Sequence, residues 1–442
     1  MKKINLKPYI LKANELKITP FEVNYSISSS TSVSVFNNEV ESQEIGNDSS
    51  ISARGLFNNK LGFYSLDSIT KDTINELANG VYQACLYGKD DTKDSFFSGK
   101  GAKYKKVKIN PKEFKASNLK ELREVALNLS KKIQSKDKRI TKCEVSLSMI
   151  ENLSQKENDL GLKCSSTISL FSGYASIVAE EDNEPKSYAI GFNSFKDIDD
   201  LVKEAEKKIN ELVSCAVDFF KTGPVKSKNY PVILSSSVIS SLLSYYVSQL
   251  SAHDLLQHLS IFEGKLNTQI CSKKITLTHT PFKPCSSSSS FDSEGVPTSE
   301  FKVIKNGVLL SYFHCLETSK KMNVLDNGCG SGNSTCSPIT LTIKESKKSK
   351  EEGFSKIKNG LYVFDVSGLN CGIDGQTLEF SLPCSAYQII DGKKANATSM
   401  NIISGNLKDL FNNVKEVYND VEENNGIFTP SMYISKISVS GK

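Results

Sequence analysis

Residues 221–229 read KTGPVKSKN, and this stretch decides how the rest of the chain divides. Gly223-Pro224 cannot continue a helix, because proline lacks the N–H and its ring clashes with the carbonyl four residues back. Flanked by solvated lysines, the pair reads as a linker. Length agrees, since 442 residues exceed what one core of ordinary size organises. Two domains are expected, residues 1–222 and 223–442.

Upstream of the linker the text alternates helices with hairpins. Residues 1–16 read as a short helix. Between 21 and 66, Phe21, Val23 and Tyr25 alternate with polar residues, as do Val33 and Val35. Asn37-Asn38 and Asn58-Asn59 interrupt these runs, and asparagine tolerates the positive φ that two-residue hairpin turns require. Residues 73–87 carry helical spacing. Ser117-Asn118 can cap a helix over 119–133. Strands follow over 143–150, 162–172, 175–180 and 187–195. In 197–220, Ile198, Leu201, Ala205, Ile209, Leu212, Ala216 and Phe219 fall three to four apart, which marks a helix. Mixed helices and antiparallel strands predict an α+β domain rather than a doubly wound sheet.

Downstream, a buried strand (230–234) and a helix (237–250) precede many short strands. These are expected at 275–277, 301–304, 308–313, 339–343, 361–366, 387–390, 400–403 and 434–439, so the second domain reads as sheet-rich and barrel-like. Gly307 and Gly392 are turn glycines. The serine run 286–290 and the Gly/Ser/Asn/Cys-rich stretch 329–337 read as mobile loops without an assigned role.

Composition narrows the function classes. The 55 basic and 50 acidic residues are mixed rather than gathered, so no cationic face announces a nucleic-acid binder. No apolar run approaches the roughly 18 residues of a membrane span. A signal sequence is not visible, because Pro8, Lys12 and Glu15 interrupt the start. A cytoplasmic protein is the expectation. Eleven cysteines contain no C-x-x-C pair, so they read as small buried apolar residues in a reducing compartment.

The second domain carries a recognisable series of blocks. FDSEG (291–295) is followed by IKNGVL (304–309), NGLYVFDVSG (359–368), IIDG (389–392), SGNLKDLFNN (404–413) and VYND (417–420). In this order and at these separations the blocks resemble the TldD/PmbA family. FNNEVES (36–42), ARGLFNNKLGF (53–63) and Tyr230-Pro231-Val232 extend the resemblance to nearly the whole chain. It implies a two-subunit peptidase system that acts on short or unfolded peptides. One subunit, TldD, holds zinc through an HExxxH helix and a C-terminal cysteine; the other, PmbA or TldE, lacks these groups. The family has also been described as a modulator of DNA gyrase.

Of the four histidines, two demand a decision, because His253, Asp254 and His258 spell HDxxxH. In a zinc peptidase the histidines would be ligands and the acid a base. Three points oppose this. By the resemblance, the family's metal helix falls near residues 243–248, which read LSYYVS. Residues five apart on a regular helix point about 140° apart. No cysteine occurs in residues 423–442. The expectation is therefore a PmbA/TldE-type subunit with no catalytic, cofactor-binding or metal-ligating residue of its own. Zinc is expected in a TldD-like partner, with a peptide as substrate, no nucleic acid and no membrane as partners, and self-association left open. The alternatives are a self-sufficient zinc metallopeptidase using His253, Asp254 and His258, and a binding module acting on DNA gyrase. His279 and His314 read as strand residues with one satisfied nitrogen. Asp292 and Glu294 could share a substrate or a cation; the competing reading makes them turn residues facing solvent.

Overall fold

A computed structural model describes residues 2–107, 109, 114–332 and 334–442. Residues up to Phe220, with Glu294–Val296, form one unit, and 221–293 with 297–442 form the other. In the first, α1 (Lys7–Glu15) leads into β1 (Phe21–Phe36), β2 (Glu39–Phe57) and β3 (Lys60–Leu66). Next come α2 (Thr73–Leu86), α3 (Leu119–Gln134), β4 (Ile140–Asn158), β5 (Lys163–Glu181), β6 (Glu184–Ser194) and α4 (Ile198–Val217).

The six strands form one antiparallel sheet in the order β3-β2-β1-β4-β5-β6, curled into a half-barrel. Its hairpins turn where the sequence predicts. Asn37, Asn38, Asn58 and Asn59 all have φ between 48° and 67°. Asp182-Asn183 makes a third such turn. Alternation puts Phe21, Val23, Tyr25, Val33 and Val35 on one face of β1. That face supports two separate cores. Phe21, Val23 and Tyr25 pack with Leu77 and Val81 of α2, whereas Val33 and Val35 pack with Leu122 and Ala126 of α3 and Leu201 of α4. Asn118 and Glu121 close a reciprocal cap on α3: the Glu121 N–H donates to Asn118 Oδ1 (3.0 Å) and the Asn118 N–H to Glu121 Oε2 (3.2 Å).

One expectation fails here. Residues 162–172 and 175–180 are not two strands, because β5 runs unbroken through Gly173. The glycine serves a close approach: a Cβ there would lie 2.0 Å from the Phe192 ring.

The second unit starts with β7 (Lys228–Leu234), α5 (Ser236–Ser248) and α6 (Ala252–Leu256). Short elements follow: β8 (Leu277–His279), β9 (Phe301–Lys305), β10 (Val308–Leu309), α7 (Leu316–Met322), β11 (Gly330–Gly332), β12 (Thr335–Cys336) and β13 (Leu341–Ile343). Then come α8 (Lys350–Ile357), β14 (Gly360–Val366), α9 (Leu369–Gly372), β15 (Glu379–Ile390) and β16 (Lys393–Asn406). The last are α10 (Leu407–Asn412), β17 (Val414–Val417), β18 (Glu422–Asn424), β19 (Ile427–Thr429) and β20 (Met432–Ser440).

Strands β16-β15-β14-β7-β20 are neighbours in that order, and β20 pairs back onto β16 through Ile402↔Ser440 and Ser404↔Ser438. The result is a closed five-stranded barrel, which leaves these strands no open ring edge. A second sheet has the order β10-β9-β8-β13-β19-β18. Asn306-Gly307 and Asp391-Gly392 make its and the barrel's hairpin turns with positive φ. The α+β class with a barrel-like second part is thus the observed architecture. Among the described residues no helix is long and apolar enough to cross a membrane.

Three local expectations are corrected. Residues 310–313 leave the strand after Leu309, and Phe313 makes only an isolated bridge to Ser251. Residues 329–337, apart from 333, which lies outside the described set, are not a plain loop but include the β11–β12 hairpin. The serine run is also anchored: Ser288 is fully buried, and its hydroxyl accepts from the Cys285 N–H at 3.0 Å.

Candidate functional site

The helix α5 supplies the framework. Ser235 caps it by accepting from the Val238 N–H (3.3 Å), and Val238, Ile239, Leu242, Leu243 and Tyr246 bury its apolar stripe. The Tyr246 hydroxyl fixes the helix from inside by donating to the Ile270 carbonyl at 2.7 Å. Ser244, Val247 and Ser248, spaced to share another face, line a cavity of about 430 Å³. Asp254 of α6, Thr335 and Cys336 of β12, and Gly426 before β19 line it too. The α5 hydroxyls are turned back to their own helix: Ser244 donates to the Ser241 carbonyl (2.7 Å) and Ser248 to the Tyr245 carbonyl (2.8 Å). Their oxygens remain acceptors toward the cavity. Such a wall suits the polar edges of an extended ligand.

The HDxxxH segment does not form one helical face. His253 and Asp254 lie on α6, which ends at Leu256, and His258 follows it with φ 57° in the left-handed region. The His258 ring is exposed and pairs through Nδ1 with Glu263 at 2.9 Å. One helix does not carry both histidines: the segment breaks between them, and His253 is only half-buried. Among the described residues no three His, Cys, Asp or Glu side chains converge as metal ligands. The cavity wall offers hydroxyls, one carboxylate and one thiol, and among the described residues no third zinc ligand joins the last two.

His279 and Cys329 form a pair that residue order did not suggest. The sulfur lies 4.0 Å from Nε2. The imidazole is already occupied, since Nδ1–H donates to the Ser299 carbonyl (2.8 Å) and Nε2 accepts from the Ile339 N–H (3.2 Å). Burial lowers the imidazole pKa to about 4 and, with Asp292 and Asp326 nearby, raises the thiol well above its ordinary range. A neutral thiol beside a saturated imidazole is not an activated nucleophile. Both histidine nitrogens are thus satisfied, not one. His314 is no strand residue; it sits just before α7, with Nδ1 3.5 Å from the Thr318 hydroxyl, and burial lowers its pKa.

Asp292 and Glu294 are both buried, which overturns their solvent-facing reading. Asp292 Oδ2 accepts from the Gly330 N–H at 2.8 Å and so positions the β11 strand. Asp326 Oδ1 accepts from the Gly328 N–H at 2.8 Å, while its buried Oδ2 has no hydrogen-bond partner among the described residues. Burial, with Asp292 adding repulsion, raises the Asp326 pKa to about 7.

A half-barrel sheet, a closed five-stranded barrel and a cavity set against α5 define a two-unit α+β protein of a known architecture. Residues 227–441 match the PmbA/TldA metallopeptidase C-terminal domain, and residues 21–85 match PmbA/TldA metallopeptidase domain 1. The chain belongs to the PmbA/TldD family. It is similar to a metalloprotease PmbA homolog of Buchnera aphidicola subsp. Acyrthosiphon pisum (strain APS), at 25% identity over 93% of this chain and 90% of the relative. A zinc metalloprotease TldD homolog of Saccharolobus solfataricus is 24% identical, covering 90% of this chain and 88% of its own. In fold the chain is similar to TldE from Thermococcus kodakarensis, with a TM-score of 0.86, 21% identity and coverage of 99% and 100%. A Thermotoga maritima protein described as a candidate modulator of a DNA gyrase gives a TM-score of 0.88 at 22% identity, covering 98% and 99%.

Proposed function

We propose that this chain is the non-catalytic, PmbA/TldE-like subunit of a cytoplasmic metallopeptidase pair, completing a peptide-binding site for a TldD-like partner that holds the zinc. The proposal assigns the partner role to a second domain spanning residues 223–442. One observation carries the reading. The cavity face of α5, the helix at which the resemblance puts the family's ligands, bears Ser244, Val247 and Ser248, which leave a zinc ion no donor to replace its water. The broken HDxxxH segment supports the same reading, because His258 is tied to Glu263 away from α6. A hydroxyl-lined cavity can still hold an extended peptide through hydrogen bonds while chemistry occurs on the partner.

The test is reconstitution. The purified chain, mixed with a TldD-like protein from the same source, is expected to give peptide hydrolysis that neither shows alone. Full activity of the TldD-like protein by itself, unchanged by this chain, overturns the reading.

A further inference from the structure

Two thiols meet at the α5 cavity, one in its wall and one behind it. Cys336, in β12, lines the cavity and is 7% exposed; Cys315, which precedes α7, is fully buried. Thr318, one turn into α7, holds its hydroxyl oxygen 3.6 Å from each sulfur. That oxygen also accepts from the Cys315 N–H (2.9 Å), so it is fixed rather than swinging between the two. The Cys315 thiol, when protonated, can donate to the Ser334 carbonyl at 3.4 Å. Contact with one and the same hydroxyl oxygen makes the two sulfurs near neighbours.

This environment differs from that of the other buried thiols. Burial pushes Cys143 and Cys271 up to about 11 and about 12, which makes them inert. Cys315 moves the other way, to about 6, chiefly because the Cys336 thiol donates to its thiolate; burial opposes this, and the Thr318 N–H and hydroxyl and the Glu317 N–H assist. Cys336 is raised in turn by the charge it supports. The two shifts are opposite in sign, so of the two sulfurs Cys315 is the one favoured as thiolate and Cys336 the one that keeps its proton.

We propose that Cys315 and Cys336 are a redox pair, converted by hydrogen peroxide entering through the cavity into a disulfide that ties α7 to the β11–β12 hairpin. The Cys315 thiolate attacks peroxide: a sulfur–oxygen bond forms, the oxygen–oxygen bond breaks and hydroxide leaves. The Cys336 sulfur then attacks the sulfenic acid; the sulfur–sulfur bond forms, and the departing hydroxide takes the Cys336 proton as water. The two sulfurs lose two electrons, and the peroxide oxygens gain them. Closing to a sulfur–sulfur bond of about 2.05 Å draws Cys336 and Cys315 together. Because Thr335 and Cys336 line the cavity, the bond fixes that wall. This inference does not rest on the peptidase-partner reading.

The experiment treats the intact, reduced chain with graded hydrogen peroxide, blocks free thiols with N-ethylmaleimide in denaturant and maps the peptides by mass. The expected product is a Cys315–Cys336 crosslink, reversed by dithiothreitol and formed before Cys143, Cys271 or Cys329 is modified. In Cys336→Ser, the crosslink is lost and dimedone captures a sulfenic acid on Cys315. The inference is overturned if peroxide doses that oxidise the exposed Cys371 leave Cys315 and Cys336 alkylatable, or if the crosslinks join other cysteines. The wild-type map decides the matter even if the variant fails to fold.

Discussion

His279 shows how completely a buried polar group can be committed. With Nδ1–H donated and Nε2 accepting, its neutral form is satisfied on both sides. Its pKa falls to about 4 from the ordinary 6.5, so the unfolded chain takes up the proton more readily. Its stabilising contribution is full above about pH 6.5 and is lost as pH falls toward 4. Imidazole nitrogen resonances at pH 5 should show the neutral Nδ1–H tautomer, and a protonated ring at that pH would contradict the assignment. Asp326 has the opposite sign. Its pKa, raised to about 7, means that the folded state holds the proton more tightly. That contribution is full below about pH 4 and disappears as pH rises through 7. In thermal melts, Asp326→Asn should therefore gain on the wild type as pH rises from 4 to 8; a constant difference would show that the carboxyl does not titrate as described.

At the scale of elements, caps and hairpins were legible because each depends on residues adjacent in the chain. The Asn118–Glu121 cap is one example, and Asn118→Ala should cost about 1 kcal/mol in denaturant unfolding. The helix α5 was legible too, as a helix over 237–250, though not the face that it buries. Leu242→Ala should cost roughly 2–5 kcal/mol, the usual range for a fully buried leucine. The cavity was not legible, because its wall comes from α5, α6, β12 and the turn at Gly426, which only folding brings together. In HDxxxH the letters have a ligand spacing, but what they could not show is the positive φ at His258, which turns the second ring off the helix. Gly/Ser composition hid the β11–β12 hairpin. Ser244 and Ser248 are exposed on the cavity face, so Ser244→Phe and Ser248→Phe should melt within a few degrees of wild type. In the reconstitution assay they should depress peptide hydrolysis at least tenfold; undiminished hydrolysis would remove this cavity from the peptide site.

For the whole molecule, the proposed partner role makes a compositional prediction. Protein purified without chelator or added metal should contain far less than one zinc per chain, and His258→Ala should leave that content unchanged. Stoichiometric zinc lost in His258→Ala would instead support a self-sufficient peptidase. The family blocks were readable across both units because they mark turns and strand ends, such as Asn306-Gly307 and Asp391-Gly392, where backbone geometry restricts the residue. Which groups face one another across the barrel and the second sheet was not readable, since pairings such as β7 with β20 join distant segments.

The placing of β20 has a practical outcome. It is the final stave of the ring, seated between β7 and β16, both of which precede it in synthesis. A nascent or shortened polypeptide ending before Met432 exposes both neighbours' hydrogen-bonding rims at once. Nonsense products of that kind should accumulate as insoluble material, whereas supplying residues 432–440 as a separate peptide should rescue part of the soluble fraction.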